Sequence, residues 1–213
     1  MSLLDEEERK QSHEQDERTV NVVHIPLMMD EERNEIVARA DYDEETGIYQ
    51  VFEPGLDDTT RALLAQLKKD IPDENILKSL RGLQKQIRKS ARKITLSYDD
   101  RDVAVVKYYL VRDLAYIGPV SPLLHDPKIA TIMCEGPGIP LTLVREGRKI
   151  KTTLLFGSKD ELNAFIRQVA KKTFQVVSVD DPVLDATYRN FRIQGTLGTD
   201  IVPSRFIMTR IEA

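Results

Sequence analysis

Two arginines, Arg192 and Arg210, are the residues of this sequence best placed to do chemistry. Each ends or interrupts an extended apolar stretch, Phe191-Arg192-Ile193-Gln194 and Ile207-Met208-Thr209-Arg210. Strand alternation points Arg192 away from the face that Phe191 and Ile193 would bury. A guanidinium is planar, permanently charged and forked, so at a domain or subunit edge it suits the clamping of phosphate oxygens. The same pattern fits arginines that only tie strands together, and the residues alone leave both readings open. A second cationic group comprises Lys78, Arg81, Lys85, Arg88, Lys89, Arg92 and Lys93, with no acid between Lys78 and Tyr98. On a helix, Arg81, Lys85, Arg88, Lys89 and Arg92 lie on the side away from an apolar seam. Such a face can bind a nucleic acid, or attract the acids of a neighbouring domain or subunit. No aromatic residue for base stacking interrupts the run, which favours the second partner.

Other chemistries lack their parts. His13, His24 and His125 are far apart, and Cys134 has no near partner, so no zinc or iron spacing occurs. Cys134 sits in an apolar stretch and reads as a buried, inert thiol. His125 reads as a surface residue beside a turn. Asp180, Asp181 and Asp185 surround Pro182 and read as turn and cap residues rather than an acid–base pair. Gly136-Pro137-Gly138 and Gly195-Thr196-Leu197-Gly198 are not followed by Gly-Lys-Ser or Gly-Lys-Thr, so no phosphate loop is present. These residues by themselves are expected to hold no cofactor and to hydrolyse no ATP. A single cysteine forms no internal disulfide and favours a reducing compartment.

Positioning these groups requires two kinds of element. Residues 35–40 and 48–52 read as strands around a polar loop ending in Gly47, a hairpin. Asp57 or Asp58 caps a helix lined by Leu63, Leu64 and Leu67. Pro72 opens a longer helix, with Ile76, Leu80, Leu83 and Ile87 on one narrow seam. Asp99 or Asp100 opens a third, carrying Val103, Val106, Leu110, Leu114 and Ile117 until Gly118-Pro119 ends it. Beyond it the period changes. Ile129–Cys134 reads as a buried strand, and 141–144 with 150–156 as a hairpin turning at Gly147. Ser158 and Glu161 make a capping box for a helix bearing Leu162, Phe165, Ile166, Val169 and Ala170. Residues 176–179, 186–188, 191–196 and 206–209 are further strand candidates. The fold class is α+β: an N-terminal hairpin and three-helix bundle, followed by a small mixed sheet with packed helices.

Charge is uneven along the chain. Of 35 acids and 31 bases, seven acids and three bases fall in residues 1–18, and the remaining 28 of each cancel. So polar and acidic a head buries too little apolar surface to order itself, or orders as a helix on a partner. The expected organisation is a flexible acidic tail over 1–33, the hairpin and helical bundle over 34–100, and an α/β domain over 101–213. The third helix hinges the two halves. No apolar run approaches the roughly 18 residues of a membrane span, and no signal-peptide pattern opens the sequence. A cytoplasmic protein is expected.

Several runs, in order, resemble a known family. They are Tyr49-Gln50-Val51-Phe52-Glu53-Pro54, Tyr108-Tyr109-Leu110-Val111-Arg112-Asp113, Gly118-Pro119-Val120-Ser121-Pro122-Leu123-Leu124-His125-Asp126-Pro127, and Glu135-Gly136-Pro137-Gly138-Ile139-Pro140. Asp181-Pro182-Val183-Leu184-Asp185-Ala186-Thr187, Arg192-Ile193-Gln194 and Met208-Thr209-Arg210 complete the set. From about residue 34 onward the chain resembles the N-terminal region of archaeal type II/type IV secretion ATPases, which include pilus assembly and archaellum motor ATPases. It departs from them at Tyr188-Arg189-Asn190-Phe191, where the family has an Asp-Gly turn, and at Arg210-Ile211-Glu212, where the family has Arg-Lys-Phe. The resemblance implies an N-terminal domain packed on a RecA-like motor domain that follows it. Nucleotide lies at the seam, with Arg192 and Arg210 reaching its phosphates. It further implies a ring hexamer at the inner face of the membrane, ATP and Mg bound by the full-length protein, and a membrane platform protein as partner. The rival readings are an adaptor or scaffold that binds through the acidic tail or basic helix, and a nucleic-acid binder through that helix.

Overall fold

Buried and exposed residues alternate along the strands of this chain. The computed structural model describes residues 22–30, 35–71, 79–95, 97–199 and 202–211. Their strands are β1 (Val22–Asp30), β2 (Glu35–Asp43), β3 (Ile48–Phe52), β4 (Ile129–Cys134), β5 (Thr142–Arg145), β6 (Arg148–Thr152), β7 (Val183–Tyr188), β8 (Phe191–Thr196) and β9 (Arg205–Arg210). They form one sheet in the order β1-β2-β3-β6-β5-β4-β9-β8-β7. The helices are α1 (Asp58–Asp70), α2 (Leu80–Lys93), α3 (Asp100–Leu110) and α4 (Lys159–Lys172). A π-helical segment, Val111–Ala115, and a 3-10 segment, Gly118–His125, follow α3. The fold is α+β.

The hairpin and the first and third helices begin where their sequences predict, whereas the second begins at Leu80 and not at Pro72, because Ser79 is extended (φ −121, ψ 113) and its hydroxyl accepts the N–H of Gly82. Asp43 accepts the backbone N–H groups of Glu45 and Thr46, and Gly47 takes φ +67, which closes the β2–β3 turn. In the β5–β6 turn Glu146 and Gly147 both have positive φ, +49 and +77, as a two-residue hairpin with the twist of its strands requires. Asp99 and Asp102 cap the start of α3 reciprocally. Ser158 caps α4 by accepting the N–H of Glu161, while the Glu161 carboxylate reaches back past it to the N–H of Gly157.

Four further details differ from the sequence reading. Residues 22–30, assigned to the tail, form the edge strand β1: Val22-Val23-His24-Ile25-Pro26-Leu27-Met28 is apolar enough to bury Ile25, Leu27 and Met28. Its register slips beside Pro26, as a bulge at a sheet edge allows. Residues 176–179 form no strand. A left-handed Phe174 (φ +57) and a turn in which Ser178 and Asp181 bond each other leave Val176 and Val179 exposed. The second strand of the later hairpin stops at Thr152, whose hydroxyl bonds the Leu154 backbone instead of continuing the ladder. The third helix gives way to the π segment at Val111. Residues 1–18, Pro72 and Ile76 lie outside the described residues.

The sheet crosses from the first half of the chain to the second at one place. There β3 runs parallel to β6, pairing Ile48 with Lys151 and Tyr49 with Thr152. Among the described residues, no helix is long and apolar enough to cross a membrane.

Candidate functional site

The strands β7, β8, β9 and β4 bury one face and leave the other open. Phe191, Ile193, Phe206, Met208, Leu184, Ala186, Ile132 and Cys134 fill the buried side. On the open side the register builds cross-strand rows. Thr187, Arg192, Thr209 and Thr131 form one row, and Asp185, Gln194, Ile207 and Met133 the next. A shallow cleft of about 650 Å³ lies on this face against Met133, Val183, Gln194, Arg205 and Ile207.

Arg192 stands on the open face as its alternation predicts. Its Nε donates to Asp185 Oδ1 at 3.0 Å and its terminal nitrogen to Oδ2 at 2.8 Å, a forked pair. Gln194 donates to the same Oδ2 at 3.2 Å. The hydrogen bond from Arg192 holds the Asp185 carboxyl below its usual range, and the same bond raises the Arg192 guanidinium. Both side chains remain open to solvent, 58% and 46% exposed. Asp185, a turn residue by sequence, is therefore a strand residue and the diagonal cross-strand partner of Arg192, which lies opposite Thr187. The signal for it was positional: on a two-stranded ladder its side chain meets a residue of the facing strand, not its own turn.

Arg210 lies on the other face. It pairs with Phe191 across β8 and β9, so its side chain shares the core side, with the guanidinium 4.4 Å from the Phe191 ring. Nε donates to the Ile129 carbonyl and a terminal nitrogen to the Asp126 carbonyl, both at 2.8 Å. Burial lowers its pKa below the ordinary arginine value. The two arginines thus do not converge. The sequence held the clue, since Arg210 follows Phe206 and Met208 in phase on the apolar side.

Two ionic clusters escaped the sequence reading. Asp126 is buried and accepts from the Tyr49 hydroxyl at 3.0 Å, Arg145 Nε at 2.9 Å and the Lys128 N–H at 2.9 Å. Burial and the Asp126 charge raise the Tyr49 phenol well above its ordinary pKa. This cluster joins β3, the end of the 3-10 segment and β5. The second centres on Arg112, which donates to both oxygens of Glu53 at 2.9 Å and to Asp113 at 2.6 Å. Burial opposes the Arg112 charge, but the hydrogen bond and charge of Asp113, with those of Glu53, carry the pKa above the ordinary value. Tyr108 donates to Glu53 and Lys68 to Asp113. Gln168 and Lys172 of α4 donate to the Asp113 and Leu114 carbonyls that the π segment leaves open.

On α2, Arg81, Lys85, Arg88, Lys89 and Arg92 are all exposed, while Leu83, Ile87 and Ala91 are buried. None of the five forms an ion pair with a described residue; Lys93, next along, bonds Asp70. A cleft of about 680 Å³ opens beside Arg88, Arg92, Thr95, Ser97 and Tyr98. Among the described residues no three His, Cys, Asp or Glu are grouped to hold a metal ion. Burial pushes the Cys134 thiol up to about 11. His125 is not the surface residue it resembles: its ring packs edge-on to Tyr116 at 5.7 Å, and Nε2 is buried without a hydrogen bond.

No protein-family model matches the chain. An uncharacterized protein, MJ1288, of Methanocaldococcus jannaschii is 28% identical over 177 residues, covering 78% of this chain and 70% of that protein. Part of the chain is similar in structure to the VirB11 ATPase of the Brucella suis type IV secretion system, solved with sulphate. That likeness has a TM-score of 0.38 and 20% identity, over 44% of this chain and 29% of the other. A likeness of that extent leaves the function to be argued from the site.

Proposed function

We propose that this chain is the N-terminal regulatory and coupling domain of a hexameric secretion-type ATPase serving a type IV pilus, an archaellum or protein secretion. The observation that carries the reading is the placement of Arg192. It is a forked, solvent-accessible guanidinium on an open sheet face, held in extended form by an exposed carboxylate. Asp185 stays ionised through the physiological range, so protonation does not release Arg192; a competing anion does. Phosphate offers the same forked acceptor geometry with more charge, and can take the guanidinium from the carboxylate. A nucleotide bound with Mg by a motor domain lying on this face would therefore draw Arg192 toward its phosphates. Domain position would then depend on nucleotide state. Arg210, committed to two backbone carbonyls, positions the end of β9 rather than meeting phosphate. The motor domain, neighbouring subunits and a membrane platform protein are the partners in this reading, at the inner face of the membrane.

The test is ATP hydrolysis by the protein carrying its motor domain. Arg192→Ala should lower the rate on the order of tenfold or more, and Arg192→Lys, which lacks the fork, should not restore it. Hydrolysis unchanged in both variants would sink the reading.

A further inference from the structure

The open face of β7, β8, β9 and β4 carries more than Arg192. The register sets Thr187 of β7 and Thr209 of β9 directly opposite Arg192, one on each side, with Thr131 of β4 beyond Thr209. Opposed Cβ atoms lie about 5 Å apart, so three hydroxyls line up with one forked guanidinium. Thr187 and Thr209 are exposed and Thr131 is half-buried. Threonine suits an open strand on shape alone. Here, though, none of the three hydroxyls bonds a described residue, and each is free to donate outward. The next row, about 7 Å along the strands, has a different character. Asp185 stands at its edge, followed by Gln194, Ile207 and Met133. These last three line the cleft of about 650 Å³, and Ile207 leaves 38% of its apolar surface in water. A row of donors thus adjoins a shallow apolar floor with one amide in it.

We propose that the two rows together seat a nucleoside triphosphate: Thr187, Thr209 and Arg192 hold phosphate oxygens, and the cleft over Ile207, Met133 and Gln194 takes the sugar and base. The inference rests on the reading of Arg192 as a phosphate contact and supplies the rest of that site. A phosphate above Arg192 meets the forked N–H donors and a hydroxyl from each neighbouring strand. The step from one row to the next is about the length of a ribose, so the base falls on the apolar row. Its flat faces cover Ile207 and Met133 as an aromatic ring would, and its polar edge reaches the Gln194 amide. Gln194 and Arg192 both donate to Asp185 Oδ2 while the seat is empty. A phosphate that takes Arg192 from Asp185 loosens this knot and frees the amide for the base. Asp185 is the one acid of the two rows, and its repulsion of the anion keeps binding to this chain alone weak.

NMR on the full chain, with labelled threonine, isoleucine and methionine methyls and arginine Nε–Hε groups, tests this. At about 20 mM salt, sodium tripolyphosphate should shift the Arg192 Nε–Hε signal and the Thr187 and Thr209 methyls along one saturation curve, with a Kd of roughly 1–10 mM. ATP should shift these and also the Ile207 and Met133 methyls, and should bind at least about threefold more tightly. Asp185→Asn removes the competing carboxylate and should tighten both titrations about threefold or more. Thr187→Val with Thr209→Val keeps the branched shape, removes both hydroxyls and should weaken both titrations about fivefold or more. Arg192→Gln should abolish them. The two readings fail differently. If Arg192→Gln leaves the titrations unchanged, Arg192 meets no phosphate and the reading beneath this one falls with it. If Arg192→Gln abolishes them but the double valine variant does not weaken them, the seat is overturned and Arg192 stands. The same holds if ATP shifts no methyl that tripolyphosphate leaves still. Shifts confined to the basic face of α2, or none up to about 20 mM of either ligand, would also overturn the seat.

Discussion

Asp126 with Arg145 and Asp185 with Arg192 are the same chemical pair in opposite surroundings. The first pair is 1% and 5% exposed, the second 46% and 58%. Both carboxylates accept an arginine Nε at about the same distance, 2.9 and 3.0 Å. In the buried pair each charge has given up water, so each depends on the other and on Tyr49 and the Lys128 N–H for compensation. In the open pair water stands ready to replace either partner, so the pair adds little to stability and can be exchanged. One fastens β3 to the second half of the chain; the other holds an arginine where an arriving anion can take it. Burial, rather than residue type, separates the fixed ion pair from the exchangeable one here.

The widest separation of the two should come from Arg145→Met. It leaves Asp126 charged, buried and short of its main partner, and should cost about 3–5 kcal/mol in denaturant unfolding. The double variant Asp126→Leu with Arg145→Met removes both charges and should cost clearly less than the sum of the single changes. Additive losses would mean that the two side chains do not act as a pair. Tyr49→Phe comes next. It removes one hydrogen bond to Asp126 without a large change of volume and should cost about 1–2 kcal/mol. Arg192→Ala and Asp185→Ala sit at the other end: neither should move the unfolding midpoint beyond error, although Arg192→Ala should impair ATP hydrolysis as described above. A large midpoint shift in either would place Arg192 among the structural arginines and erase the contrast.

The sequence displayed one of these pairs better than the other, for a physical reason. Period-two alternation put Arg192 on an open face because orientation within a strand is local. Cap and turn residues such as Asp99, Ser158 and Gly147 were legible on the same ground. Register between strands is not local. Phe191 opposite Arg210 decides that the two arginines point to opposite faces, and reading β9 together with its own apolar phase was needed to see it. The Asp126 cluster was further out of reach. Tyr49 and Asp126 are 77 residues apart, and Asp126-Pro127 has the local signature of a turn, which it also is. The edge strand β1 is hidden because its apolar residues 22–28 stand between charged flanks. The π segment has no pattern distinct from an ordinary helix, and the α4 side chains that satisfy its open carbonyls lie 55 and 58 residues away.

The smallest effect concerns the half-buried His125, whose Nε2 is buried without the compensation that Asp126 enjoys. Its ring packs on Tyr116, and the Arg189 guanidinium lies 4.3 Å from the centre of the same tyrosine ring. Burial, and secondarily the Arg189 charge, disfavour the imidazolium and lower the pKa below the ordinary 6.5. A group with a depressed folded pKa binds fewer protons folded than unfolded. Its contribution is therefore present above the unfolded pKa and is lost as pH falls from about 6.5 through the lower folded value. The urea midpoint of the wild type should accordingly decline between about pH 7.5 and pH 5.5, before most carboxylates titrate. His125→Phe keeps a flat ring against Tyr116 and carries no proton, so its midpoint should decline less over that interval. Parallel declines would assign the acid sensitivity elsewhere and leave His125 as packing alone, whereas a flatter curve would add an uncompensated buried group to the paired and the exchangeable ones.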